Sequence, residues 1–284
     1  MTTDTIILLS LIGVLFLLFL SIKNKLSKLM KGVFLSIFLC LLTVTGLLLY
    51  VNETEELVYA KQFTTNQTTR KASITEKEEV VEIKESVLLD APIINQLPEL
   101  PRGCEVTSLA MLLQYAGIDV DKMTLAEEVE KDTTPYSKNG NQIYYGNPND
   151  GFIGDMYSLN GPGLGVYHTP IAELAEVYLP GSIVDFTGSD FEEIKKQLSN
   201  NNPVWVITNS KFKKLSDDQF RTWNTPSGEI QITYSEHSVL ITGYDQDYVY
   251  FNDPLTGEKN KKAPIADFEE SWVQMGSQAI TINS

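Results

Sequence analysis

Two uninterrupted apolar runs open the chain. Residues 5–22 and 32–51 carry no charged side chain over 18 and 20 positions. Both are apolar on every helical face and lack the period-3.6 stripe of a surface helix. About 20 such residues cross a bilayer core as a helix whose backbone is satisfied internally. The nine residues between them, 23–31, hold Lys23, Lys25, Lys28 and Lys31. Excess Lys in a short loop marks the cytoplasmic side. The pattern predicts a two-helix transmembrane anchor over 1–51, with everything after Val51 extracytoplasmic. The first run has no basic leader and the second no small-x-small cleavage site, so a cleaved signal peptide fits less well. Cys40 lies in the second run and reads as a small apolar residue.

The apolar pattern then stops. Residues 52–90 are rich in Thr, Glu, Lys, Gln and Asn. They cannot bury enough apolar surface to offset their chain entropy, which predicts an extended linker with a short strand near 79–83. Asn52 and Asn66 stand in glycosylation sequons, which matter only in a eukaryotic secretory pathway. Residues 91–284 are long enough for one well-sized core. An entry strand is expected at 91–94. Val106, Leu109, Ala110 and Leu113 fall at helical spacing, predicting a helix over 104–115 that Gly117 stops. Further helices are expected at 125–131, 171–178 and 190–198, the last capped by Ser189 or Asp190. Between the first two, 132–165 reads as a long polar loop, a length usually tied to function. Strands follow at 203–208, 229–234, 237–242, 248–252 and 278–282. Helices first and strands afterward predict an α+β domain rather than alternating βαβ units.

Charge divides the chain in the same way. Residues 1–51 have four Lys and one acid, net +3, while 52–284 have 18 basic and 36 acidic residues, net −18. No basic excess neutralises phosphates, so no nucleic-acid partner is expected. If the outer charge selects anything, it favours basic peptides. Two Cys and two His in 284 residues exclude a disulfide framework or a Cys-rich zinc site. No metal and no cofactor are expected, because Cys104, His168, His237 and Asp253 have no recognised ligand spacing. His168 reads as a loop or helix-entry residue. Gly161-Pro-Gly-Leu-Gly165 follows no strand and reads as a flexible active-site loop rather than a dinucleotide loop. Trp205, Trp223 and Trp272 read as core or groove wall.

Chemistry concentrates at two places. Cys104 begins a helix, where free N–H groups and the macrodipole favour an anion. A thiol so placed can have its pKa lowered to roughly 3.5–7.5 and act as a nucleophile. The alternative is a buried structural thiol. Gly103 and Glu105 flank it as expected substrate contacts, Gly103 because a residue without Cβ lets a substrate backbone pass close. Downstream, a hairpin turning at Asp245 would pair 237 with 253, 239 with 251 and 241 with 249. His237 and Asp253 then share one face, and a carboxylate beside an imidazole fixes its tautomer. A base oriented by a third group is what an activated thiol requires. The alternatives are a half-buried His at a strand start and a turn Asp before Pro254.

The segment Gln96-x-Pro98-x-Leu100-Pro101-x-Gly103-Cys104-Glu105, followed by Val106-Thr-Ser-Leu-Ala-Met-Leu-Leu113, resembles the Cys box of bacteriocin-leader-processing cysteine peptidases. It is most similar to their stand-alone, C-thirty-nine-like bacterial branch. His237-Ser-Val-Leu-Ile-Thr-Gly243 with Val249-Tyr-Phe-Asn-Asp253-Pro254 resembles that family's His and Asp boxes. The likeness spans about 91–284. It implies a papain-like fold, a Cys-bearing helix packed on an antiparallel sheet. It also implies Cys104 as nucleophile, His237 as general base and acid, Asp253 as orienting residue and Gln96 as side-chain oxyanion donor. The leader-processing enzymes place Asp directly before the Cys and the Gln six positions ahead; here Gly103 precedes the Cys and Gln96 lies eight ahead. No G-x-x-x-x-G-K-[ST] loop occurs, so an ATP-driven exporter is not indicated. The expected activity is a membrane-anchored peptidase acting on a peptide or protein through a thioester. Acyl transfer or amidase chemistry on the same triad is one alternative. A non-catalytic peptide- or cell-wall-binding domain is the other. The sequence leaves the oligomeric state open.

Overall fold

The computed structural model describes residues 82–283. The expected spans 5–22 and 32–51, the loop between them and most of the 52–90 linker lie outside those residues. Among the described residues no helix is long and apolar enough to cross a membrane. The described residues form one compact unit.

In chain order the elements are β1 (Val87–Leu88), α1 (Cys104–Tyr115), α2 (Lys122–Glu128), β2 (Lys131–Asp132), β3 (Ser137–Asn139), β4 (Gln142–Tyr144) and β5 (Phe152–Ile153). Then come α3 (His168–Tyr178), β6 (Ile183–Asp185), α4 (Phe191–Ser199), β7 (Val204–Asn209), β8 (Phe220–Thr225) and β9 (Gly228–Thr233). The chain finishes with β10 (Glu236–Tyr244), β11 (Tyr248–Asp253), β12 (Glu258–Pro264), α5 (Ile265–Gln274) and β13 (Ala279–Ile282). The main sheet is antiparallel, in the order β12-β11-β10-β7-β13-β6, with β1 also on β10. This is the expected α+β arrangement with a Cys-bearing helix on an antiparallel sheet.

Both faces of that sheet are covered. Along β7, Trp205 and Ile207 join the core shared with α1, while Val204 and Val206 join the core shared with α4 and α5. In β10, Leu240 faces α1, and Val239 and Ile241 face the other side. Period-two alternation thus feeds two cores from one strand.

Helix α1 lies between the sheet and helices α2 and α3, so ten of its twelve residues are buried, more than the expected stripe. It stops where Gly117 takes φ +86° and Ile118 N–H donates to Leu113 O. Helix α2 starts three residues before the expected point because Asp121 Oδ1 accepts the N–H groups of Met123 and Thr124, both at 2.8 Å. Asp190 caps α4 as expected.

Three expectations need correction. The entry strand pairs as Val87–Leu88 rather than 91–94, so the sheet reaches back into the stretch read as linker. Glu82 and Ile83 form no strand. The 132–165 stretch is partly folded: β3 and β4 extend the β8–β9 hairpin into a second sheet, and β2 pairs with β5. Tyr145, Trp223 and Ile232 fill the core of that second sheet. All three Trp are buried, as expected.

Candidate active site

The β10–β11 hairpin decides where the candidate base sits. The observed pairs are Leu240↔Asn252, Ile241↔Phe251, Gly243↔Tyr250 and Tyr244↔Val249, with a bulge between Ile241 and Gly243. At Ile241 the register differs by two residues from the expected one. A shift of two keeps every side chain on its face. His237 and Asp253 therefore still meet, as diagonal rather than direct neighbours. His237 Nε2 lies 2.9 Å from Asp253 Oδ1, and both side chains are almost wholly buried.

Asp253 gathers more donors than the sequence suggested. Leu255 N–H donates to Oδ1 at 3.0 Å and Lys261 Nζ to Oδ2 at 2.7 Å. It is thus both turn residue and partner of His237. Burial pushes its pKa up, but His237 and Lys261 outweigh that and hold it well below the usual carboxylate range. A permanent carboxylate takes the Nε2–H of His237 and leaves Nδ1 as the free base. Phe212, at φ +52°, closes this pair off, its ring 6.0 Å from His237 and 4.5 Å from Phe251.

Strand β10 pairs with β11 only from Leu240 on, so its first residues lie at an open edge. Cys104 comes in there, at the head of α1. Cys104, His237, Glu236 and Gln96 line one cleft of about 450 Å³. Its opposite wall is the expected glycine loop, residues 161–164. Arg102 anchors that wall, donating to the carbonyls of Asp155 (3.0 Å), Ser158 and Gly161 (2.9 Å). The loop is therefore tied down beside the Cys. His168 begins α3 and binds Asp185 Oδ2 through Nδ1 at 2.5 Å, outside this cleft.

Gln96 is 2% exposed, and its Nε2 donates to Leu100 O (3.1 Å) and Pro101 O (3.2 Å). Both amide protons are engaged, so the resting amide offers the cleft no donor. Gly103 packs against Leu100, whose Cβ would lie 2.6 Å from an added Cβ. That close packing by itself requires a residue without a side chain here. Glu105 is fully buried and does not line the cleft.

The electrostatics of Cys104 reverse the helix-start expectation. The Cys104 S–H donates to Glu105 Oε2 at 3.2 Å. Burial first, then the charges of Glu105 and Glu236, push the thiol well above its ordinary value; the nearby Ser238 backbone offsets this only in part. A helix dipole contributes about 0.3–1 kcal/mol, less than burying a charge beside carboxylates costs. Glu236 precedes the catalytic candidate His237 and escaped the sequence reading. Its signal was position: adjacent strand residues face opposite ways, so a Glu beside an inward His points at α1.

Burial raises the Glu105 pKa from 4.5 to about 7, despite the Val166 N–H that donates to its Oε1 at 2.8 Å. Between those values the folded protein holds a proton that the unfolded chain has released. Its stabilising contribution is present below pH 4.5 and is lost as pH rises through about 7. Unfolding free energies from urea titrations across that range should fall with pH by up to about 1.4 kcal/mol per unit in the wild type and more gently in Glu105→Gln. Parallel curves would remove Glu105 as the titrating group.

The model of the Peptidase C39 like family matches residues 88–280. The uncharacterised protein YvpB of Bacillus subtilis (strain 168) is 53% identical over 196 residues, covering 68% of this chain and 75% of YvpB. A solved structure from Bacillus anthracis, described as a proposed C39-like peptidase, is 50% identical with a TM-score of 0.66. It covers 71% of this chain and 98% of its own. On the Cys and His–Asp boxes, the α+β fold and a family match across most of the described residues, this chain belongs to the Peptidase C39 like family.

Proposed function

We propose that the protein is a membrane-anchored cysteine peptidase that hydrolyses peptide bonds with Cys104, His237 and Asp253. The observation that carries this reading is the buried His237–Asp253 hydrogen bond in the cleft that Cys104 also lines. Because the resting thiol is disfavoured as an anion, His237 Nδ1 takes the S–H proton as sulfur attacks the substrate carbonyl. The C–S bond forms and the carbonyl oxygen becomes an oxyanion. The Cys104 N–H, in the unpaired first turn of α1, faces it; Gln96 adds a donor if its amide turns from Leu100 and Pro101. The C–N bond then breaks, and the His237 imidazolium gives its proton to the leaving amine. A water deprotonated by His237 attacks the thioester, the C–S bond breaks, and the thiol returns.

Mass spectrometry of peptide mixtures incubated with the full chain in detergent tests this. Cleavage is expected, abolished by Cys104→Ala and His237→Ala. Asp253→Asn should lower kcat by about 10²–10⁴-fold, since the imidazole then loses its tautomer and orientation. Cleavage that persists in Cys104→Ala would overturn the assignment.

The same reading places the catalytic domain outside the cell, on two grounds: the uncharged runs 5–22 and 32–51, and the four lysines between them. A membrane-impermeant thiol reagent on intact cells should modify a Cys placed in the linker, such as Thr65→Cys, and spare Lys28→Cys. The reverse pattern would invert the topology.

A further inference from the structure

At the edge of the cleft, two carboxyl groups meet without a cation. Glu105 Oε1 accepts the Val166 N–H, and its Oε2 faces the Cys104 sulfur. Glu236 reaches the same place from β10. One oxygen from each carboxyl and the sulfur lie within 4.8 Å of one another. Gly165 makes the room. A Cβ there would lie 2.0 Å from Glu105 Oε1 and 2.9 Å from Glu236 Oε2. Glu236 Oε1 is buried and finds no hydrogen-bond partner among the described residues.

Charged groups nearby do not relieve the pair. Tyr167, from the segment before α3, is buried, and burial first, then Glu236 and Glu105, hold it neutral. Arg102 is turned to the carbonyls of 155–161, and His237 and Lys261 are on Asp253. Two carboxylates this close, Glu105 fully and Glu236 partly buried, and without a cation, do not both ionise at neutral pH.

We propose that Glu105 and Glu236 are positioning residues that share a proton and set the hydrogen bond made to the Cys104 sulfur. This rests on the peptidase reading above. With Glu105 neutral, its hydroxyl donates to sulfur and favours the thiolate. With Glu105 ionised, the S–H donates to the carboxylate instead, and the thiol stays protonated. On titration Glu105 releases its proton to solvent and the proton on sulfur stays, now donated to the carboxylate; no bond to carbon is made or broken. Cys104 is therefore a weaker nucleophile above the titration of Glu105 than an isolated thiol would be.

The test is the rate of Cys104 alkylation by iodoacetamide in the full chain, from about pH 5 to about pH 9, between the ranges of a carboxyl and a free thiol. Mass spectrometry of the Cys104 peptide separates it from Cys40. The wild-type rate should stall near pH 7 instead of rising with pH. Glu105→Gln keeps the acceptor for Val166 N–H and supplies a permanent donor to sulfur. Its rate should be at least about tenfold higher at pH 8, with no stall. Glu236→Gln should exceed the wild type at the alkaline end, which serves if Glu105→Gln does not fold. A wild-type profile that climbs like a free thiol and superimposes on the variants' overturns the proposal. Alkylation needs no peptide, so a chain that cleaves nothing yet shows the stall fails the peptidase reading and not the proton sharing.

Discussion

A helix whose first residue must be reachable is otherwise almost wholly buried. Helix α1 is held between the sheet and two other helices, and the Trp205 indole donates to the Glu105 carbonyl at 3.0 Å. These contacts fix the head of α1 against the open start of β10. Everything at the site follows from that placement. It brings the sulfur into the same cleft as His237, which stands on a strand whose other side is packed by α4. The glycine loop, held by Arg102, forms the far wall. Moving α1 by a fraction of a turn would separate all of these at once.

The same burial has an electrostatic cost. Cys104 is almost wholly buried, so the helix dipole does not compensate an anion there. Two carboxyl groups below the sulfur add to the penalty. A site of this kind does not hold a standing thiolate–imidazolium pair. In the proposed reading it holds a thiol whose proton leaves during attack, with an imidazole oriented by a carboxylate that stays ionised. Asp253 supplies that constancy because Lys261 and Leu255 N–H satisfy it alongside His237.

Sequence periodicity was enough to place α1, α4 and the β10–β11 hairpin, because their apolar spacing and caps are local. The hairpin register was misread because the turn centres between Gln246 and Asp247 rather than at Asp245: Tyr244 pairs with Val249, three residues out, and the bulge before Gly243 brings the offset back to two at Ile241. The His–Asp contact survived that error because strand faces repeat every two residues. Strand β12 was invisible: Lys259, Lys261 and Lys262 suit a sheet edge, and they do not alternate with apolar residues. Helix α5 did have a signal, Phe268, Ser271, Trp272 and Met275 at helical spacing. Burial of Glu105 was not readable, since a Glu in a helix's first turn is ordinarily a solvated dipole partner. Only the distant glycine at 165 makes room for it.

The central claim is that the sulfur of Cys104 carries the acyl group. Intact-mass spectrometry of the full chain, acid-quenched at early times after mixing with an activated peptide ester, observes it directly. The account predicts a transient acyl adduct on the Cys104 peptide, formed by the wild type and not by His237→Ala. A peptide ester that binds in the cleft yet never acylates Cys104 would contradict it and leave a peptide-binding domain in place of an enzyme.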